Sequence, residues 1–151
     1  MRVIHITRRR LVLFSLALGL VIGSALMLAG CFDGKTAEVI TATTNEERVA
    51  YLEGLGWQVQ PDPIETLDLQ LPDKLDGEWN AYAKLQKGQD LPFGEFAGQA
   101  VKRYTYTVTN YPEIPEGVQA NLYLWGEQII GGDVIFTGQG GFQTDLAFPK
   151  T

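Results

Sequence analysis

Carboxylates, lysines, tyrosines and threonines are the main side chains that could do chemistry in most of this 151-residue chain. Its one histidine is His5, its one cysteine is Cys31, and its two serines, Ser15 and Ser24, precede Cys31. Beyond Cys31, a Ser-His-acid triad, a Cys-His pair and a zinc site built from His or Cys are therefore excluded. We assign no catalytic residue, metal site or cofactor from the sequence, which favours a domain that is not an enzyme.

Asp133 is the most distinctive acidic residue, because it follows Gly131 and Gly132 and faces a predicted loop that contains Glu127. A carboxylate pair at this place could serve a glycosidase or ligate calcium. An aspartate after two glycines more often belongs to a β-bulge, where it accepts hydrogen bonds from nearby backbone N–H groups. We favour this structural interpretation and keep Asp133 as a candidate binding residue.

Tyr123 and Trp125 are candidate binding residues because of their place in a predicted strand. Leu122 and Leu124 alternate with them and are expected to face the core, which puts the two aromatic side chains on the opposite, exposed face. Exposed aromatic side chains are typical of binding surfaces. Arg103, a cation inside another predicted strand, is expected to pair with a neighbouring carboxylate.

The elements that position these residues show helical and strand patterns. Thr44 and Glu47 predict a capping box at the start of one helix, and residues 78–87 predict a second helix. Gly126-Glu127 predicts a two-residue turn, and strands are predicted over 57–60, 64–71, 100–111, 118–125, 128–136 and 142–148. The predicted fold class is α+β, with two helices packed on one face of a mainly antiparallel sheet and an N-terminal membrane segment before them.

The N-terminal region predicts where this domain resides. Residues 11–30 carry no charge and would form a helix of about 30 Å, the thickness of the hydrocarbon core of a bilayer. The basic residues of the preceding leader are retained in the cytoplasm, so the chain after Cys31 is expected outside the cell membrane. Leu28-Ala29-Gly30-Cys31 looks like a lipobox, so two alternatives stay open: a retained transmembrane helix, or a lipoprotein signal h-region that is cleaved before a lipidated Cys31.

The predicted organisation has four parts. Residues 1–10 form a cytoplasmic basic leader, 11–30 the transmembrane helix or signal h-region, 31–43 a spacer, and 44–151 the extracytoplasmic α+β domain. Beyond Cys31 the chain has 18 acidic and eight basic residues, a net charge of −10. Because nucleic acid binding needs a basic face, this charge argues against a nucleic acid partner. The expected partners are the membrane and a protein or peptide of the envelope.

Two segments, 103–112 and 130–134, resemble an uncharacterised bacterial family that is described only as a domain of unknown function. The resemblance covers roughly Thr44 to Phe148 and includes 45–48 with 55–57. The family is found mostly in Gram-positive anaerobes, and its members look like short membrane-tethered proteins with one such domain outside. The resemblance implies this architecture, but it supplies no activity and no catalytic residues.

Three hypotheses for the function follow. The leading one is a membrane-tethered extracytoplasmic domain that binds a protein, peptide or envelope component without catalysis. The second is a carboxylate-based hydrolase of cell-wall glycan, which needs two acidic side chains about 5–10 Å apart in a cleft. The third is a structural accessory subunit of an envelope complex, which co-purification would separate from the first.

Overall fold

A computed structural model describes residues 38–150 of the chain. Among these residues, the helices lack the combination of length and apolar character that crossing a bilayer requires. The predicted membrane segment at 11–30 and the predicted lipidation site at Cys31 lie outside the described residues. The predicted leader, tether and location therefore stay predictions.

The first helix, α1, spans Asn45–Gly54 and begins where the sequence predicts. Thr44 Oγ1 accepts a hydrogen bond of 3.2 Å from the Glu47 N–H, and Glu47 Oε2 accepts one of 3.1 Å from the Thr44 N–H. The predicted capping box is confirmed, and it satisfies backbone donors that the first helical turn leaves free. The second helix, α2, spans Gly77–Gly88, and a short 3₁₀ helix follows at Phe93–Phe96.

Five antiparallel strands form one sheet and follow one another across it in chain order. Their bounds are β1 Glu65–Gln70, β2 Ala100–Thr107, β3 Val118–Trp125, β4 Gln128–Phe136 and β5 Phe142–Thr144. The predicted strand at the end of the chain is thus only three residues long. The α+β class and the antiparallel sheet are confirmed.

The β3–β4 hairpin has the turn and the bulge that its glycines predict. Gly126 takes a positive φ of +57° at the first central position of the two-residue turn, as glycine can do without strain. The pairing register shifts where Tyr123 faces Gly131 and Leu124 faces Ile129, so that Ile130 is the extra residue of β4. The bulge therefore lies one residue before the predicted Gly131-Gly132 pair.

The two helices lie on opposite faces of the sheet. Leu122 and Leu124 of β3 are buried in the same core as Leu52 of α1. Tyr123, between them, belongs to a second core that includes Tyr82 of α2. Because successive residues of a strand point to opposite faces, we name these the α1 face and the α2 face. The prediction that both helices pack on one face is wrong.

The physical reason is that both faces of the central strands are apolar. Besides Tyr123, the α2 face buries Val101 of β2 and Ile130 of β4. A single helical layer on the α1 face would leave these side chains in water, and apolar area is worth about 25 cal/mol per Å² when it is buried. The segment 77–96, with α2 and the 3₁₀ helix, supplies the cover.

Candidate functional site

Asp133 lies in a row of polar side chains that crosses the α2 face. It is 1% exposed and stands opposite Asn121 in the β3–β4 ladder. Asn121 Oδ1 accepts a hydrogen bond of 2.7 Å from Thr105 Oγ1 on β2, and Asp133 Oδ2 accepts one from Gln143 Nε2 on β5. Four neighbouring strands thus contribute one polar side chain each. The bond to Asp133 comes from a side chain, whereas the sequence interpretation expected backbone N–H groups.

The acidic pair suggested for Asp133 is not formed. Glu127 belongs to the β3–β4 turn, six residues from Asp133 along the hairpin. At about 3.3 Å per strand residue this separation is roughly 20 Å. Asp133 therefore has no carboxylate partner in Glu127 for glycoside hydrolysis or for calcium binding.

Tyr123 lies beside the polar row and is buried. It is 7% exposed, and its ring packs against Tyr82 of α2 at a centroid distance of 5.4 Å and against Phe93 at 5.5 Å. Its neighbour on β2 is Arg103, which forms the predicted ion pair, here with Glu65 of β1. We call Tyr82, Arg103, Asn121, Tyr123 and Asp133 the polar cluster.

Burial sets the electrostatics of the polar cluster. It raises the pKa of the Asp133 carboxyl, although Gln143, Asn121 and the Arg103 guanidinium act in the opposite direction by stabilising the carboxylate. Burial also raises the pKa of Tyr82 well above its ordinary value, and the nearby Asp133 carboxylate adds to this effect. The pKa of Tyr123 is raised by burial as well. The cluster therefore favours the protonated forms of all three groups.

Three buried polar atoms of the cluster have no hydrogen-bond partner among the described residues: Tyr82 Oη, Arg103 Nε and Asp133 Oδ1. Orphaned groups with perturbed pKa values can mark a catalytic site, but a catalytic group must also reach its substrate. Because Asp133 is 1% exposed, the cluster lacks that access. Within residues 38–150, His, Cys, Asp and Glu form no group of three that could hold a metal ion. The polar cluster is thus best described as a group of largely buried polar side chains between α2 and the sheet, where the Tyr82 ring packs on Tyr123.

Trp125 is the exposed member of the predicted aromatic pair. It is 45% exposed and packs on Phe96 of the 3₁₀ helix with ring centroids 5.3 Å apart. The expected exposure of Tyr123 is wrong, because α2 covers it. The structure therefore brings Tyr123 and Asp133 together, and leaves Trp125 at the rim of the same face.

The α1 face has an open groove of about 500 Å³ over the ends of β1, β2 and β3. Asp68 of β1 and Lys102 of β2 line it, with Asp68 Oδ1 and Lys102 Nζ 3.4 Å apart. Tyr104 lines it as well, and the Arg48 guanidinium lies 3.8 Å from the centroid of the Tyr104 ring. Leu124 adds an apolar surface. One acid, one base, an aromatic ring and an aliphatic side chain suit a peptide better than a strongly charged small molecule.

A second groove, of about 350 Å³, lies between α2 and the 3₁₀ helix. Lys84, Lys87, Leu91 and Glu95 are among its lining residues. Each groove is thus lined by one carboxylate, Asp68 in the first and Glu95 in the second. Neither groove is predictable from the sequence, because the lining residues come from distant segments and show no spacing that a motif would reveal.

Comparison with known proteins gives a family and no described activity. The model of the DUF4830 family, described as a domain of unknown function, matches residues 51–134. The match confirms the expected resemblance to a domain of unknown function, and it includes α2, the polar cluster and most of the sheet. Neither a curated protein nor a solved structure matches the chain.

Proposed function

We infer that this chain, which belongs to the DUF4830 family of domains of unknown function, is a membrane-tethered extracytoplasmic protein that binds another envelope component without catalysis. The tether is residues 11–30 or a lipid on Cys31. The basic leader before residue 11 supports this orientation. The chemistry that remains after Cys31, without His, Ser or a further Cys, supports binding rather than catalysis.

The observation that best supports binding is the open groove at the β1 side of the α1 face. Its volume of about 500 Å³ is in the range of ligand sites. Asp68 at its border has a side chain that is 85% exposed, so a partner can reach it from solvent. The groove combines hydrogen-bonding and apolar groups, as peptide-binding surfaces do.

Hydrolysis of wall glycan is less well supported. That reaction needs two carboxyl groups about 5–10 Å apart in a cleft. Each of the two grooves has a single carboxylate, and Asp68 in the first already pairs with Lys102. Asp133, whose pKa is raised, is buried away from both grooves. Binding is therefore the function that the described geometry favours.

Site-specific photocrosslinking in intact cells tests this function. A photoreactive amino acid replaces Asp68 at the groove in one variant of the full-length chain, and the exposed Glu53 of α1 in a control variant. We expect the Asp68 position to give a discrete adduct with an envelope protein, identified by mass spectrometry, that the Glu53 position does not give. Equal adducts from both positions, or none from Asp68, would refute a binding role for the groove.

The tether has a separate test. The mass of the mature N-terminus distinguishes a retained helix, which keeps the residues before Cys31, from a diacylglycerol-modified Cys31. Either result supports membrane attachment. A mature chain that begins after Cys31 and carries no lipid would contradict it.

A further inference from the structure

The outer edge of β1 is open among residues 38–150, and we propose that it binds an extended, basic peptide segment of an envelope protein as a sixth strand. Strand addition to a free sheet edge is a general mode of peptide recognition, in which backbone hydrogen bonds give affinity and side chains give specificity. The proposal rests on the proposed function and names the chemistry of its partner.

The pairing of β1 with β2 shows which backbone groups are free. The Leu71 N–H donates a hydrogen bond of 3.0 Å to the Gln99 carbonyl, at the position that continues the β1–β2 register. In an antiparallel ladder the residues that bond to the neighbour alternate with residues whose N–H and C=O point away. Residues 65, 67 and 69 therefore bond to β2. Thr66, Asp68 and Gln70 present their N–H and C=O groups to the outside, about 7 Å apart.

On the other side of the sheet, the outer side of β4 is covered along its length, and the short β5 is the edge strand. The Ile129 N–H donates to the Ile40 carbonyl at 2.8 Å, so the start of the described chain covers the first residues of β4. Gln86 Oε1 accepts from the Gly132 N–H and Gln89 Nε2 donates to the Gly132 carbonyl, both at 2.8 Å. The short β5 pairs with residues 134–136. Gln86 of α2 and Gln89, the residue directly after this helix, thus take the place of a neighbouring strand at Gly132.

The outer side of β1 is open, whereas the outer side of β4 is covered. Proteins generally protect a free edge with a bulge, a proline, charged side chains, a covering segment or an edge strand of very few residues, and of these β1 has the charged side chains Glu65 and Asp68. β1 has six residues, and its prolines at 61, 63 and 72 lie outside the strand. Ile64 and Leu67, at this edge, are 56% and 37% exposed. The outer edge of β1 is therefore long enough and apolar enough to pair with another strand.

Charge selects the occupant of this edge. The segment 61–76 has one basic residue, Lys74, and five acidic residues: Asp62, Glu65, Asp68, Asp73 and Asp76. Lys102 and Arg103 of β2 pair with two of them, yet the acidic side chains still outnumber the basic ones. Two copies of the chain would bring like charges face to face, which disfavours pairing of β1 with itself. A strand with lysine or arginine at alternate positions complements the edge.

The groove described above extends this interaction across one face. Thr66, Asp68 and Gln70 alternate with residues of the α2 face, so their side chains lie on the α1 face, where Asp68 and Gln70 border the groove. A basic side chain on the added strand would lie beside the Asp68 carboxylate. The aliphatic part of that side chain would contact the apolar groove surface.

Peptide binding to the full-length chain in detergent tests the proposal. The probe is a fluorescent eight-residue peptide that alternates lysine with valine, and the control peptide has glutamate in place of lysine. We expect saturable binding of the lysine peptide, at least about tenfold tighter than the glutamate peptide by fluorescence anisotropy, and weaker at higher salt. Equal affinity for the two peptides, or no binding of the lysine peptide, overturns the proposal.

A matched pair of variants tests the backbone contact. Thr66→Pro removes one outward N–H and leaves the bonds to β2 in place, whereas Thr66→Val keeps the N–H in a side chain of similar shape. We expect Thr66→Pro to weaken binding of the lysine peptide about tenfold and Thr66→Val to leave it unchanged. Equal binding by the two variants overturns the proposal, and so does a dimer of the chain that Thr66→Pro dissociates.

Two further results keep the conclusions separate. If circular dichroism shows that Thr66→Pro is unfolded, Asp68→Asn decides: a loss of affinity for the lysine peptide of about threefold supports the acidic edge, and no loss overturns it. If the crosslinking from Asp68 finds a partner but the lysine peptide does not bind, the binding function stands and the strand-addition inference fails.

Discussion

Replacing Gly132 with alanine tests how closely β4 is held between the elements that surround it. A Cβ atom at Gly132 would lie 2.5 Å from Leu146 Cδ1 and 2.8 Å from the Asn121 carbonyl oxygen. Carbon atoms in contact prefer about 3.5–4.0 Å, so Leu146 would have to retreat by about 1 Å. Leu146 is 2% exposed, and its N–H donates to Gln89 Oε1 at 2.9 Å. The Asn121 oxygen belongs to β3 and can move only if the β3–β4 ladder opens.

These contacts set the expected magnitude. Overpacking of a closed site costs about 1–3 kcal/mol, and the upper part of this range applies because one of the two contacts is backbone. The smaller conformational entropy of unfolded alanine offsets about 0.4–1 kcal/mol. We therefore expect Gly132→Ala to lower the free energy of unfolding by about 2 kcal/mol, which with a typical urea slope moves the midpoint by roughly 1 M.

Gly54→Ala is the matched control. A Cβ atom at Gly54, in the last turn of α1, meets no atom within 4 Å. The same chemical change should here raise stability by about 0.4–1 kcal/mol. Both variants are measured by urea unfolding of the full-length protein in detergent, followed by tryptophan fluorescence. An unchanged midpoint for Gly132→Ala, or an equal loss in both variants, would refute the close packing of β4.

Three further predictions concern the polar cluster and the first helix. Burial raises the pKa of Asp133, so the folded state holds this proton more tightly, and this carboxyl contributes stability that grows as pH falls from neutral toward 3.8. In urea unfolding between pH 4 and 7, Asp133→Asn should lack this contribution, and identical pH slopes for the wild type and the variant would contradict the prediction. Burial and the Asp133 carboxylate raise the pKa of Tyr82 well above 10.0, so the stability that this hydroxyl contributes is lost as pH rises past 10. The Tyr82→Phe variant should lose less stability than the wild type between pH 9 and 11, measured by circular dichroism. An equal loss in both proteins would count against the polar cluster. Thr44→Ala removes the hydroxyl that accepts a hydrogen bond from the Glu47 N–H, and it should lower the free energy of unfolding by about 1 kcal/mol in the same urea assay. An unchanged free energy of unfolding would show that the cap does not stabilise α1.

Local signals in the sequence predict local structure well. The Thr44 and Glu47 pair predicts the start of α1, because both hydrogen bonds join residues three positions apart. Gly126 predicts the β3–β4 turn, because the turn requires a positive φ at that position. Arg103 finds its carboxylate across the neighbouring strand. In each case the physical cause lies within a few residues or one strand spacing.

Tyr123 shows where the sequence reasoning fails. Alternation correctly places it opposite Leu122 and Leu124, but alternation cannot tell whether a helix covers that second face. A usable signal is present: residues 122–125 are continuously apolar, and such runs are typical of strands buried on both faces. The hydrogen bonds of Gln86 and Gln89 to Gly132 have no comparable signal in the sequence, because they join residues more than 40 positions apart.

The candidate site likewise has a part that the sequence predicts and a part that only the structure reveals. Asp133 and Tyr123 were found by residue type and strand position, and the structure places both in a closed network. The groove at Asp68 and Lys102 depends on the β1–β2 register and on the part of the α1 face that α1 leaves uncovered. Neither quantity can be read from residue spacing. The open edge of β1 and the groove therefore support a binding function better than Asp133 and Tyr123 do.

Residue-resolved hydrogen exchange of β1 is the most direct test of the claim that this strand is the binding edge. In the free full-length protein, we expect fast exchange for the outward amides of Thr66, Asp68 and Gln70 and slow exchange for the residues bonded to β2. Saturation with the lysine–valine peptide should slow the exchange of the three outward amides and leave the exchange of the amides of β4 unchanged. Unchanged exchange at residues 66, 68 and 70, with new protection elsewhere in the domain, would contradict it.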